Sequence, residues 1–564
     1  MSDKAAPRSV SPAWFWALGA LAIALKFALT ADLALFAQYG PHDDGLYVSR
    51  AYHLLMGGGL GPYDARLLVK LPGMSFWLAA TGSLRIPYLL SLNLAYIAAG
   101  CYAIAALYRC GFGRGALLLL FVWYLFNPVT LTGEWLRVLR DPLAVCVAVA
   151  LFGAIAFIFT AARKSRVPVI HILVFSALFA FSLLMREEDV LLYGAWALLC
   201  AALVWALHAG GTLRSAAARA TLALVVAVPL GAAYAGNQAV RAFIAAHYGE
   251  RMVHDFSKGE FPRLIAAMRS VESARDNRLV MVTQEALTKM RREIPALAPL
   301  IDRLPPPGPG TYSCEIYHVC SEVVNGWMLF WIKDAAFNAG LTPDLPSAQA
   351  YFRKVREEIE EACRSGRLTC RSKGSGLVPR FELRWVRAYT YEWFSLLRMI
   401  VAPTFHVAGK MPAFYDVDAE FMRMFQAVTL TRRADIKPPD GGAKPADTAL
   451  AGSSLGVWRL AIADFYRHVG WLLLPAAMVA FAVRLAHCRR VPLDAFSWAA
   501  VVILGYLVLR LGPMSYVLAY MGQAEQRVMF STYVLLMLLA PLLIVDCVRA
   551  VRGHAAEAED RGMA

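Results

Sequence analysis

Charge is scarce in this chain. Only 17% of the 564 residues are charged and 59% are hydrophobic, whereas an average soluble domain carries about 25% charged residues. That scarcity excludes an ordinary soluble globule. Phosphate-cradling loops are missing too. Neither GxxxxGK[ST] nor a GxGxxG unit between strand and helix occurs, which removes the common nucleotide-binding classes. No Ser-His-Asp or Cys-His arrangement stands out, so nucleophilic catalysis is disfavoured, although such triads are recognised by geometry. No internal repeat is visible. Lys plus Arg exceed Asp plus Glu, 56 to 41, but the basic residues are scattered over many loops, which argues against a nucleic-acid surface.

What the chain has is long apolar runs, many near the ~20 residues that cross a bilayer as a helix. Isolated strands cannot satisfy their backbone in lipid, so the fold class is an all-α polytopic membrane protein. Ten spans are expected, at 12–36, 86–108, 115–128, 141–162, 168–185, 189–208, 216–236, 467–486, 494–512 and 528–549. Residues 1–11 are polar and the first apolar run is long enough to stay in the membrane, so no cleavable signal peptide is expected. With both termini inside, every short inner segment is basic: Lys4 and Arg8, Arg109 and Arg114, Arg163 to Arg166, Arg214 and Arg219, Arg484 to Arg490, Arg549 and Arg552. This is the positive-inside pattern.

The same topology places 237–460 outside. Three parts follow: a membrane module 1–236 with an outer loop 37–86, an extracytoplasmic domain 237–460, and C-terminal helices with a cytoplasmic tail, 461–564. Within the outer domain, Tyr351, Phe352, Val355 and Ile359 recur at helical spacing. Ser347 is the expected N-cap and Gly366 the expected stop. The run 305–310 (PPPGPG) is a stiff turn or linker, and 437–456 is expected to be mobile. Four of ten cysteines lie outside: Cys314, Cys320, Cys363 and Cys370. Cys314–Cys320 and Cys363–Cys370 are the natural disulfide pairs in an oxidising space. Three connectivities are open to them, and a zinc site is the alternative, without the two-residue spacing or His pair that zinc favours.

The unusual charged motifs fall on the outer face. Asp43 and Asp44 open the first outer loop and precede an expected amphipathic helix, with Tyr47, Ala51, Leu54 and Leu55 on one side and Gly57 to Gly59 as its end. Lys70 follows. Glu134, Arg137, Arg140 and Asp141 occupy the second outer loop, and the spacing lets Arg137, Arg140 and Asp141 share a helix face. Arg186, Glu187, Glu188 and Asp189 sit between two spans. Glu525 and Arg527 precede the last span, and Lys26 is the main mid-span charge. Each has a bland explanation. Asp43 can cap a helix, Lys70 can touch lipid headgroups, and the rest can be structural ion pairs. Yet groups this costly at membrane depth tend to line a cavity or pathway.

Asp43-Asp44-Gly45-Leu46-Tyr47 resembles the acidic motif in the first outer loop of GT-C glycosyltransferases. Within that group it is most similar to the lipid-to-acceptor enzymes, the lipid A aminoarabinose transferases and protein O-mannosyltransferases. Lys70-Leu71-Pro72 resembles their Lys-Pro element, with one residue intervening. Arg140-Asp141-Pro142 resembles their second acidic element. Arg527 resembles the basic residue before their last span, with Val528 in place of the usual aromatic. The resemblance covers about the first 240 residues as architecture and the last span faintly. It leaves the outer domain unmatched.

The resemblance implies a GT-C-like bundle and an enzyme of the bacterial inner membrane. That enzyme moves a sugar from a polyprenyl-phosphate donor to a lipid, glycan or protein acceptor at the periplasmic face. Asp43 is then the base, with Asp44 beside it. Lys70, Arg137, Arg140 and Arg527 contact the donor phosphate, and Asp141, Arg186 and Glu187 line the cavity. The chemistry is coherent. An inverting displacement needs a carboxylate for the acceptor proton and cations for the charge growing on the departing phosphate. No cofactor is required. A divalent cation held by His42, Asp43 and Asp44 is the alternative. An O-antigen polymerase or ligase acting on lipid diphosphates would share much of this layout. A polar-lipid transporter or flippase would instead expect broken helices and mid-membrane charges, and a sensor with a ligand-binding outer domain leaves Asp43 and Asp44 unexplained.

Overall fold

A computed structural model describes residues 11–562 apart from 34, 38, 39, 41, 275, 276, 372, 373, 376, 406–417, 432–453, 489, 490, 523 and 524. Most of the segment expected to be mobile, 437–456, therefore lies outside the described residues, as does the N-terminal basic cluster. Among the described residues, nine helices are long and apolar enough to cross a membrane: Pro12–Leu29, Tyr88–Arg109, Arg114–Leu131, Arg140–Arg163, Glu187–Ala209, Ala216–Tyr248, Leu455–Ala486, Ala495–Tyr520 and Gln526–Arg552. A tenth apolar helix, Val169–Met185, is shorter. The chain is an all-α polytopic membrane protein; a hairpin of two-residue strands, Gly374–Ser375 with Val378–Pro379, is a minor addition.

The Arg140–Arg163 helix is the axis of the bundle. Its most apolar stretch is 83% buried within the protein, against 17% for Pro12–Leu29 at the rim. It packs against Tyr88–Arg109, Val169–Met185 and the two last long helices. Gly153 sets one of these crossings. A Cβ there would stand 2.8 Å from the Tyr102 ring and 3.2 Å from the Ala103 backbone, so only glycine lets the two helices approach this closely, as small residues do in membrane bundles. On the same Tyr88–Arg109 helix, Tyr96 stacks on Tyr124 with ring centroids 4.2 Å apart. Each hydroxyl donates to the other's backbone carbonyl, at 2.6 and 2.8 Å.

Lys26 is not alone among the charges buried in the apolar helices. Besides Lys26, the chain buries Arg459, Arg484, Arg510 and Asp546 in apolar helices. All are paired: Arg484 with Asp546 at 3.2 Å, Arg510 with the Ser531 hydroxyl and the Val528 carbonyl, Arg459 with Asp32, Lys26 with Thr130. Each charge was diluted by its apolar neighbours in the sequence, and packing between distant helices supplies its partner.

The segment between the Ala216–Tyr248 and Ser454–Ala486 helices builds a second apolar core from Glu260–Ser270, Gln284–Glu293, Asn325–Asn338 and Leu345–Arg364. The Ala216–Tyr248 helix runs on past 236, and Ser454–Ala486 begins before 460, where its Arg459 pairs with Asp32 beside the first helix. On Leu345–Arg364, Phe352, Val355 and Ile359 are buried and Tyr351 is half-buried. Asp344 rather than Ser347 caps this helix, accepting from the Ser347 N–H at 2.7 Å, because Leu345 and Pro346 already form its first turn. Gly366, with φ 77°, lies just past its end. Disulfides join Cys314 to Cys320 and Cys363 to Cys370.

Candidate active site

The first loop, between Pro12–Leu29 and Tyr88–Arg109, folds into two short helices, Asp44–Leu55 and Gly73–Ser83. Asp43 holds the N-cap position of the first, yet its side chain caps nothing. It turns instead to two cations. Its carboxylate lies 3.6 Å from the Lys70 ammonium and 2.8 Å from the Arg527 guanidinium. Burial alone would raise its pKa, but Arg527 and Lys70 outweigh that and hold the carboxyl well below the usual carboxylate range. Asp43 is thus an ionised carboxylate, 24% exposed.

The neighbouring Asp44 has a different fate. Its side chain has no exposure, and Arg137 grips it bidentately at 2.6 and 2.7 Å. Burial pushes its pKa up while Arg137 pulls it down, the net being upward. The expectation of two carboxylates acting together therefore meets a divided pair, with Arg137 paired to Asp44. The expected shared face of Arg137, Arg140 and Asp141 does not form. The backbone of 137 and 139 is extended and the helix begins only at Arg140, so the three side chains leave in different directions.

Arg140 pairs with Glu187 and lies 3.8 Å from Glu188. Asp141 lies 3.4 Å from Arg186 and 3.9 Å from Arg527. Arg186 also bonds Glu188 at 2.8 Å. Asp43, Lys70, Arg140, Asp141, Arg186, Glu187, Glu188 and Arg527 thus form neighbouring ion pairs contributed by five separate stretches of chain. Arg137 and Asp44 stand beside them as a closed unit.

Two further residues belong to the site, and the sequence offered no signal for either. Arg50 is buried within the Asp44–Leu55 helix and donates to the Lys70 and Arg66 carbonyls, at 3.1 and 2.5 Å, so it fixes the backbone that carries Lys70. His254 comes from the second domain. Its Nε2 lies 3.1 Å from the Val69 carbonyl and 3.6 Å from Glu187, and burial lowers its pKa. His42 does not join Asp43 and Asp44 around a centre. Its ring stacks on Phe330 of the second domain, centroids 3.8 Å apart, and burial with Arg66 nearby lowers its pKa to about 4. Among the described residues no three His, Cys, Asp or Glu side chains gather as a metal-holding set.

Lys70, Arg140, Glu187, Glu188 and His254 form the polar end of a cavity of about 640 Å3 between the bundle and the second domain. Its other walls are largely apolar, with Met268, Val271, Val282, Leu329 and Phe330 on the domain side and Pro513, Met514, Val517 and Val528 on the bundle side, but Arg269, Arg278 and Glu382 also line it. Such a chamber suits a ligand with an anionic head and an apolar body.

No family model matches this chain, and no curated protein matches it. Among solved structures, the crystal structure of ArnT from Cupriavidus metallidurans bound to undecaprenyl phosphate is similar over 90% of this chain and 77% of that one, at 13% identity and a TM-score of 0.30.

Proposed function

We propose that this protein is a membrane glycosyltransferase. It transfers a sugar from a polyprenyl-phosphate donor to an acceptor hydroxyl on the extracytoplasmic face. The observation that carries this is Asp43, an ionised carboxylate held between Lys70 and Arg527 beside a cavity with a charged end and apolar walls. The acceptor oxygen attacks the anomeric carbon and the carbon–oxygen bond to phosphate breaks. The electron pair leaves with the lipid phosphate, and the acceptor proton passes to Asp43. Lys70 and Arg140 stabilise the charge that grows on the phosphate. Arg527, which pairs with Asp43, joins them as the donor binds.

The low pKa of Asp43 makes it a weak base while it faces Arg527 and Lys70. An incoming phosphate competes for Lys70 and Arg527. As those cations turn to the phosphate, Asp43 loses its counter-charges and gains basicity, so donor binding itself arms the base. Asp141, Glu187 and Glu188 hold Arg140 and Arg527 in place, Arg186 braces Asp141 and Glu188, and Asp44 with Arg137 anchors the helix that presents Asp43. Purified protein incubated with a panel of lipid-linked sugars and acceptors should form glycosylated product, followed by mass spectrometry. Transport of a polar lipid across vesicles with no transfer from any donor would replace this function with the flippase alternative.

A further inference from the structure

A second cleft, of about 540 Å3, opens where the Ala216–Tyr248 helix enters the domain. Five cations line it, Arg241, Arg251, Lys258, Arg263 and Arg353, against two carboxylates, Glu250 and Glu260. Glu260 is already taken: Arg263 lies 3.1 Å from it, Arg356 3.0 Å and Arg353 3.5 Å. Arg241, Arg251 and Lys258 have no side-chain hydrogen bond or ion pair among the described residues, and the Nε of Arg241 is buried without a partner. Three unneutralised cations around one concavity repel one another, and a buried guanidinium nitrogen left unbonded is costly. Both penalties vanish when an anion with several acceptor oxygens enters.

The height of the cleft suits a headgroup. Arg241 lies 22 residues beyond Arg219 on one continuous helix (241 − 219). At 1.5 Å per residue that is roughly 33 Å, close to the ~30 Å hydrocarbon thickness. The 252–257 segment stands between this cleft and the chamber at Lys70, and Ser257 borders both. We propose that the cleft is a phosphate-binding site, distinct from the chamber and independent of its chemistry.

The test uses purified full-length protein. Native mass spectrometry compares retention of phosphatidic acid and phosphatidylcholine, and calorimetry measures inorganic phosphate. Each cation near an anionic lipid contributes about fivefold, so Arg241→Gln, Arg251→Gln and Lys258→Gln together should weaken binding by about 100-fold. Preference for phosphatidic acid that inorganic phosphate abolishes would mark phosphate itself as the ligand. The same preference, insensitive to inorganic phosphate, would mark a lipid headgroup. Arg251→Glu, a single change at an exposed position, serves if the triple variant does not fold, and should also weaken binding. Equal retention of both lipids with no phosphate binding, or unchanged binding in a folded variant, would overturn the proposal.

Discussion

Asp43→Asn is the perturbation that separates the roles of the charged site. Asn has nearly the same size, and Asp43 makes no side-chain cap bond, so the Asp44–Leu55 helix loses no hydrogen bond at its start. What disappears is one negative charge, 3.6 Å from Lys70 and 2.8 Å from Arg527. At an effective dielectric constant of about 20 these attractions are gross energies of ~5 and ~6 kcal/mol. Desolvation and partial exposure reduce the net to about 1–2 kcal/mol. In the wild type the donor phosphate must compete with Asp43 for both cations; in the variant it does not. Donor binding should therefore tighten by about tenfold, since 1.4 kcal/mol is a factor of ten. Transfer should fall by about 10²–10⁴-fold, the usual contribution of a general base. The assay pairs donor titration by calorimetry with single-turnover transfer followed by mass spectrometry. Transfer at the wild-type rate would refute the base assignment. Donor binding weakened in step with activity would refute the competition and make Asp43 a structural counter-ion.

Asp44→Asn should behave differently: breaking a buried, hydrogen-bonded pair costs about 3–5 kcal/mol, so thermal unfolding should show a large loss of stability even where some activity survives. His42 carries a pH signature. Its folded pKa, about 4, lies below the ordinary value near 6.5, so between those values the unfolded chain binds the proton more readily. Stability contributed by neutral His42, about 3 kcal/mol, is present above pH 6.5 and lost as pH falls towards 4; His42→Phe keeps the stack on Phe330 and should flatten that part of a Tm-against-pH curve. Finally, Cys314, Cys320, Cys363 and Cys370 should label with a thiol reagent only after reduction. Losing the Cys363–Cys370 link should cost about 2–3 kcal/mol by the loop it closes, read as a lower midpoint of domain unfolding; free labelling of all four in untreated protein contradicts both bonds.

The sequence by itself determined the membrane-spanning helices, because apolar length is a local property and bilayer thickness translates it directly into a span. Even the short span expected at 115–128 and the charge-flanked one at 189–208 are apolar helices. Residue types in the loops also marked which charges deserved notice. Which charge meets which is not local, and only the tertiary structure decided it. Asp43 and Asp44 are adjacent in sequence, yet one faces Lys70 and Arg527 while the other is sealed by Arg137. A helix starting at Asp44 turns successive side chains about 100° apart, and partners 93 and 484 residues away settle where each one goes. Arg50, His254 and Arg510 were invisible for the same reason: an isolated polar residue acquires meaning only from the carbonyl, carboxylate or hydroxyl that folding brings to it. The cavity beside Lys70 belongs to neither the bundle nor the domain alone. It exists because the two pack together across the first loop, which no local pattern encodes.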